Sequence, residues 1–337
     1  MKYVELGKTG LMCAQISFGG IPVQRSSAEN AKAVVDQLER YGMNFMDTAR
    51  GYTVSEEYLG MALEGRREKF ILATKGKCWD YEGMKKDIQT SLDNFRTDHI
   101  DLYQMHNPTS EGLDKIFAPG GAYEAMAEAK EQGKIGHIGA TAHSLEVLER
   151  MVNEFGDRLE TVMFPYNIVE THGHEVLKAA REKGIGTIAM KPLAGGNLED
   201  WNLALRFIAD SGVIDISIPG MGAPEEVDRN AAAAEVLTPL TAEELEQCET
   251  IRRELGNQFC RRCGYCAPCT VGIDIPSSLL FENYAKRYKL IDWANDRYRA
   301  MGHYAGDCVE CGVCEERCPY QLPIREMLKS VKDYFGY

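Results

Sequence analysis

Ile100-Asp101-Leu102-Tyr103-Gln104-Met105 is a short apolar run that closes on a polar turn, His106-Asn107-Pro108. Alone it reads as a buried strand. It decides the fold because the same design recurs on both sides of it. Upstream stand residues 16–19, 44–47 and 70–74, and downstream 135–140, 161–165, 186–190 and 214–218, most of them ending in polar or glycine-rich turns. Between most runs the apolar residues fall at helical spacing, as in Ala31, Val34, Val35 and Leu38, or Val176, Ala179 and Ala180. Eight strands alternating with helices fit a closed (β/α)8 TIM barrel better than an open sheet. Ahead of the barrel, residues 3–12 read as a β-hairpin with a glycine-containing turn.

The pattern changes after Pro239. Thr241-Ala242-Glu243-Glu244 is a capping box that opens a helix running to about Leu255 and stopping at Gly256. Apolar spacing is helical again from Pro276 to about Met301, with Leu279, Leu280, Tyr284 and Ile291, and once more over residues 324–335. The chain is therefore expected to divide into a barrel, residues 1–256, and a mainly helical domain, residues 257–337.

With 337 residues, 44 % of them hydrophobic, the chain can bury a sizeable core. Its 51 acids against 38 bases, a formal charge of -13, repel phosphate backbones and speak against a nucleic-acid partner. Neither a signal-peptide run nor a stretch long and apolar enough for a membrane span stands in the sequence. The expectation is a cytoplasmic protein, in a compartment that keeps thiols reduced. Eleven cysteines there point to metal rather than disulfides, and eight of them follow residue 259.

Those eight form two runs. Cys260, Cys263, Cys266 and Cys269 are spaced C-x2-C-x2-C-x2-C; Cys308, Cys311, Cys314 and Cys318 are spaced C-x2-C-x2-C-x3-C and are followed by Pro319. Zinc sites also use C-x2-C, but zinc needs no closely spaced third cysteine. The second run resembles the bacterial ferredoxin pattern residue for residue, which implies two [4Fe-4S] clusters. In two-cluster ferredoxins the fourth cysteine of each run serves the other cluster. Carried over, one cluster takes Cys260, Cys263, Cys266 and Cys318, and the other Cys308, Cys311, Cys314 and Cys269. The first run departs from the pattern, with Ala267 and Pro268 before its last cysteine and Thr270 where proline is usual. The longer helical segment between the runs makes the domain similar to the α-helical ferredoxin type. Cys13, Cys78 and Cys248 stand alone and read as free thiols.

Active sites of such barrels lie at the C-terminal ends of the strands. Asp47 ends the second strand, with Tyr52 in the loop after it; Lys75 ends the third and His106 the fourth. Each alone has a plain structural use; together they form an acid–base constellation on three successive strand ends. Here residues 1 to about 240 resemble the aldo-keto reductases, whose catalytic tetrad matches Asp47, Tyr52, Lys75 and His106. The resemblance implies hydride transfer from a nicotinamide to a carbonyl carbon, or the reverse from an alcohol. Tyr52 would give the proton, Lys75 would favour the phenolate of a group whose ordinary pKa is near 10, and Asp47 would hold Lys75. His106 would orient the carbonyl oxygen.

The resemblance also implies a cofactor-binding set: Gly20 and Ile21 after the first strand, Asp47, Thr141, Met163 and Met190. The set continues with Lys191, Pro192, Leu193 and Gly195 after the seventh strand, and Gly220, Met221 and Asn230 after the eighth. Several positions depart from the family. Thr141-Ala142 replaces Ser-Asn, Met163 replaces a glutamine, Met190 a stacking tyrosine, and Glu226 an arginine for the 2′-phosphate. NADH is then as open as NADPH, and a flavin, which would couple two-electron to one-electron steps, stays open without a motif of its own. Three readings follow. The first is a nicotinamide-dependent carbonyl reductase whose clusters are structural or serve a redox partner protein. The second is a flavin electron-transfer enzyme with the clusters as wire; the third is a redox-sensing nicotinamide-binding protein. His172 and His174 read as surface loop.

Overall fold

The computed structural model describes residues 1–256 and 258–337, and the boundary expected at 256/257 falls against the residue outside it. By packing, the chain divides into two compact units, Met1–Leu245 and Glu246–Tyr337.

In the first unit, β1 (Tyr3–Glu5) and β2 (Met12–Ala14) pair antiparallel, Tyr3 opposite Ala14. The barrel follows as β3 (Phe18–Gly19), α1 (Ala28–Tyr41), β4 (Phe45–Asp47), α2 (Ser55–Ala62), β5 (Ile71–Gly76), α3 (Tyr81–Phe95) and β6 (Ile100–His106). It continues with α4 (Ser110–Phe117), α5 (Ala122–Glu131), β7 (Ile135–Thr141), α6 (Leu145–Glu154), β8 (Thr161–Pro165) and α7 (His174–Glu182). The last elements are β9 (Gly186–Met190), α8 (Trp201–Asp210), β10 (Ile216–Ser217) and α9 (Pro224–Glu235). Among the described residues β3 to β10 form one eight-stranded parallel sheet in sequence order. Bridges Ile16–Ser217 and Gly19–Gly220 join its two edges, so the barrel is closed, as the sequence led us to expect.

Strand alternation sorts the side chains. Phe45, Ala73 and Leu102 enter the barrel interior with Met163, Ile188 and Ile216, while Met46, Leu72, Tyr103 and Met105 pack outward against the helices. Continuing the inward parity by two residues brings Asp47, Lys75 and Gln104 to the same side, and by two more His106. The helices answer with their apolar stripes. In α1 these are Ala31, Val34, Val35 and Leu38, with Ser27 accepting the Asn30 N–H at its start and Gly42, at φ 72°, closing its end.

The hairpin stoppers the other end. Leu6 and Cys13 are fully buried in the interior cluster, and the Gly7 N–H donates to Asp215 Oδ2 at 3.2 Å. Gly7 has φ 58°, and a Cβ there would stand 2.3 Å from the Gly186 nitrogen, so this close approach requires glycine.

The helix α10 (Ala242–Leu255) opens with the expected capping box: Thr241 N–H donates to Glu244 Oε2 at 2.8 Å and Glu244 N–H to Thr241 Oγ1 at 3.2 Å. The second unit holds α11 (Ile275–Tyr288), α12 (Ile291–Arg299), α13 (Val313–Glu316) and α14 (Ile324–Phe335). The helical run expected from Pro276 to Met301 is broken in two, because Lys289 takes a left-handed conformation, φ 57°, that ends α11. The core of the second unit is mainly aliphatic, with Ile273, Leu279, Leu328 and Val331 around fully buried Tyr298, which stacks on Phe335, ring centroids 4.2 Å apart. Among the described residues no helix is long and apolar enough to cross a membrane.

Candidate active site and cluster site

The register brings the four acid–base residues together. Lys75 Nζ lies 2.5 Å from Asp47 Oδ2 and donates to the Thr48 carbonyl at 2.6 Å. It also stands 5.2 Å from the centroid of the Tyr52 ring, and the His106 ring meets that ring edge-on at 5.8 Å. Asp47 and Lys75 are 3 % and 2 % exposed, so the pair is shut off from solvent screening. Burial works against the Lys75 ammonium, but the charges of Asp47 and Tyr52 outweigh it and hold its pKa above the usual value. Burial also pushes the His106 pKa down, to about 3, with Lys75 and Lys77 adding to the effect, so this imidazole is neutral at ordinary pH.

The loop carrying Tyr52 is held from below. The Arg50 N–H donates to the Lys75 carbonyl at 3.0 Å, and the Arg50 guanidinium to Glu56 Oε2 at 3.0 Å. Glu56, 1 % exposed, also accepts from Thr74 Oγ1 at 2.7 Å, Ser91 Oγ at 2.8 Å and Asn94 Nδ2 at 2.9 Å. A buried carboxylate with that many donors is a fixed point.

Of the expected cofactor set, Gly20 is joined to the acid–base group directly, its N–H donating to the Asp47 carbonyl at 2.7 Å. Ile21 follows it, half-buried, and Gly220 bridges Gly19 across the barrel seam. Thr141 and Met163 are partners on adjacent strands, as are Pro165 and Met190. Met163 and Met190 join the apolar interior beneath the site, whereas Thr141 Oγ1 accepts the Asn107 N–H at 3.0 Å. After β9 the backbone turns left-handed at Lys191, Ala194, Gly195 and Gly196, around buried Pro192 and half-buried Leu193. Met221 is fully buried; Asn230, 3 % exposed, donates to the Glu226 carbonyl at 2.8 Å. Glu226 Oε2 in turn accepts the Gly222 N–H at 2.5 Å.

In the second unit, Cys269, Cys308, Cys311 and Cys314 line one small cavity together with Pro268, Thr270 and Arg325. Cys263 stands near enough to Cys318 for their charges to act on each other, and so does Cys266 to Cys260, Cys263 and Cys314. Among the described residues no three His, Cys, Asp or Glu side chains converge on a point as a single metal ion demands. Three thiols of the second run and Cys269 of the first thus border one cavity. His172 is exposed against Phe164, and His174 Nδ1 lies 2.8 Å from Tyr166 Oη.

A sequence model of the aldo/keto reductase family matches residues 15–203, more than half of the chain. The chain belongs to the aldo/keto reductase family. As such it is an oxidoreductase, and this family member carries a further part: a model of a 4Fe-4S dicluster domain matches residues 259–323. Among curated relatives, L-galactose dehydrogenase of Arabidopsis thaliana is 26 % identical over 303 residues, covering 75 % of this chain and 94 % of that protein. The aldo-keto reductase YhdN of Bacillus subtilis is 31 % identical over 225 residues, 59 % of this chain and 64 % of that one. A solved aldo-keto reductase of Bacillus halodurans, in its holo form, superposes with a TM-score of 0.65 at 25 % identity, covering 74 % of this chain and 96 % of that one.

Two residues of this aldo-keto reductase site escaped the sequence reading. Gln104 Nε2 donates to Asp47 Oδ1 at 3.1 Å from a fully buried position. The signal was there: a polar residue inside an apolar strand, two before His106 and so on the same face. Glu56 carried no such signal, since beside Glu57 at a helix start it looks like any solvated acid.

Proposed function

We propose that this protein catalyses nicotinamide-dependent reduction of a small-molecule carbonyl, or oxidation of the corresponding alcohol, at Asp47, Tyr52, Lys75 and His106. The observation carrying this reading is the buried Lys75–Asp47 pair set beside the Tyr52 ring, with a neutral imidazole on its far side. The barrel has polar groups to offer a ligand: His106 Nδ1 and Asn230 Oδ1 are buried atoms with no hydrogen-bond partner among the described residues. A bound nicotinamide supplies the hydride that the carbonyl carbon accepts. Tyr52 Oη gives its proton to the carbonyl oxygen, and the Lys75 ammonium stabilises the phenolate left behind. Asp47 keeps that ammonium charged and in place. His106, neutral and unable to deliver a second proton, donates a hydrogen bond that orients the oxygen. Glu226, its carboxylate on the Gly222 N–H, repels a second phosphate, so NADH serves at least as well as NADPH.

For the dicluster domain we propose the crossed ligand sets: Cys260, Cys263, Cys266 and Cys318 for one cluster, Cys308, Cys311, Cys314 and Cys269 for the other. The shared cavity of the latter four supports this. The clusters are structural or exchange single electrons with a redox partner protein, in the reducing cytoplasm.

The test is the visible spectrum of anaerobically purified protein with NADH or NADPH added, followed by assay on a panel of aldehydes and ketones. Carbonyl-dependent oxidation of the nicotinamide, lost in Tyr52→Phe with nicotinamide binding intact, is the expected result. A Tyr52→Phe variant as active as the parent overturns the mechanism, and failure to bind either nicotinamide overturns the reading.

A further inference from the structure

The two cysteine runs share a backbone and differ in charge. In Cys260-Arg261-Arg262-Cys263, Arg262 has φ 59° and its N–H points to Cys260 Sγ at 3.4 Å. In Cys308-Val309-Glu310-Cys311, Glu310 has φ 56° and its N–H points to Cys308 Sγ at 3.4 Å. A left-handed glycine follows the second cysteine of each run, Gly264 at φ 85° and Gly312 at φ 79°. Positive φ outside glycine is uncommon, so its recurrence with the same sulfur contact makes the loops equivalents. Arg261 then corresponds to Val309, and Arg262 to Glu310.

Equivalent positions are treated in opposite ways. Val309 is 62 % exposed, whereas Arg261 is 6 % exposed. The Arg261 guanidinium lies 3.8 Å from the centroid of the Tyr320 ring and 5.3 Å from that of Phe259, and donates to the Gly256 carbonyl at 2.7 Å. Tyr320 stands two residues after Cys318, the cysteine that the second run lends to the first cluster. Arginine keeps its charge in any protein environment, and a buried charge is costly unless an opposite charge meets it. Arg261 lies between Cys260 and Cys263 in the chain, with its guanidinium on Tyr320, so a thiolate-bound cluster on this run would place an opposite charge beside it. Around the second run Arg325 also lines the cysteine cavity, but it is exposed and paired with Glu315 at 2.7 Å, as exposed Lys329 is with Glu310 at 3.2 Å.

A thiolate-bound cluster is anionic and becomes more so on reduction, so a buried cation beside it favours the reduced state. We propose that Arg261 makes the two clusters inequivalent, setting the one at Cys260, Cys263 and Cys266 at the higher reduction potential, so that an electron entering the domain settles there. The transfer moves one electron, oxidising the second-run cluster as it reduces the first; no bond or proton is exchanged. The proposal rests on the ligand sets given above.

The experiment is an EPR-monitored redox titration, with dithionite as reductant, of the anaerobic full-length chain, alongside an iron assay. Two separate reduction waves are expected, with about eight iron atoms per chain as two four-iron clusters require. Arg261→Met should move the upper wave down towards the lower one, and Arg261→Lys should move it less. Arg261→Gln, a second neutral replacement, decides the matter if Arg261→Met loses a cluster. A single wave in the parent, or an Arg261→Met titration that superimposes on it at equal iron content, overturns the proposal. Iron well below eight in the parent overturns the ligand sets themselves.

Discussion

Lys75→Met removes an ammonium whose side chain is 3 % exposed and leaves the Asp47 carboxylate, 4 % exposed, facing a thioether. The 2.5 Å contact to Asp47 and the 2.6 Å donation to the Thr48 carbonyl both go, and Asp47 keeps Gln104 at 3.1 Å. Breaking one side of a buried ion pair costs about 3–5 kcal/mol, because the remaining charge is stranded. The carboxyl can escape by taking a proton. Burial already pushes its pKa up, and without the ammonium only Gln104 opposes that. A folded carboxyl with a raised pKa holds a proton that the unfolded chain, with a pKa of about 3.9, has released. The penalty is therefore full at pH above the folded value and shrinks as pH falls towards about 3.9. We expect a loss of about 3–5 kcal/mol at pH 8, smaller by at least about 1 kcal/mol at pH 5, and largely recovered when Asp47→Leu removes the stranded charge. The assay is urea denaturation of the anaerobic protein in a Trp293→Phe background, where Trp79 and Trp201 report on the barrel. A loss below about 1 kcal/mol at pH 8, or one that does not shrink at pH 5, would refute the reasoning.

Three further outcomes follow from the same coordinates. Gly7→Ala forces a Cβ to 2.3 Å from backbone at φ 58°, and should cost more than about 2 kcal/mol. Gly10→Ala, at φ 76° with nothing within 4 Å, should cost only about 1 kcal/mol; thermal midpoints of the two variants, side by side, check this. Gln104→Leu strips Asp47 of its second partner and should lower kcat about ten-fold or more, as a misplaced acid–base group does, with nicotinamide affinity unchanged; equal loss in both would mean general damage. His106, held neutral down to about pH 3, should put no limb near pH 6.5 into the pH profile of kcat. Because its folded pKa lies below the unfolded one, protonation should instead subtract stability as pH falls from about 6.5 towards 3, which acid titration of His106→Gln against the parent will measure.

Much of this protein was legible as spacing. Strand alternation and eight recurrences announced the barrel, and the same parity that buries Phe45, Ala73 and Leu102 carries Asp47, Lys75 and His106 inward on adjacent strands. Thr241 and Glu244 announced their helix start, and the cysteine spacings the dicluster domain. These are local properties: period, cap and interval are set by backbone geometry within a few residues, so a sequence displays them directly. What the sequence could not display is which distant groups meet a side chain. Glu56 looks solvated until Arg50, Thr74, Ser91 and Asn94 close around it. The helical pattern running past Lys289 gives no sign of the left-handed turn that divides it. Arg261 and Val309 occupy matching places in two near-identical motifs, yet one is buried under Tyr320 and the other faces water. Burial of a charge is decided by residues far apart in the chain, and only the tertiary structure brings them to one place.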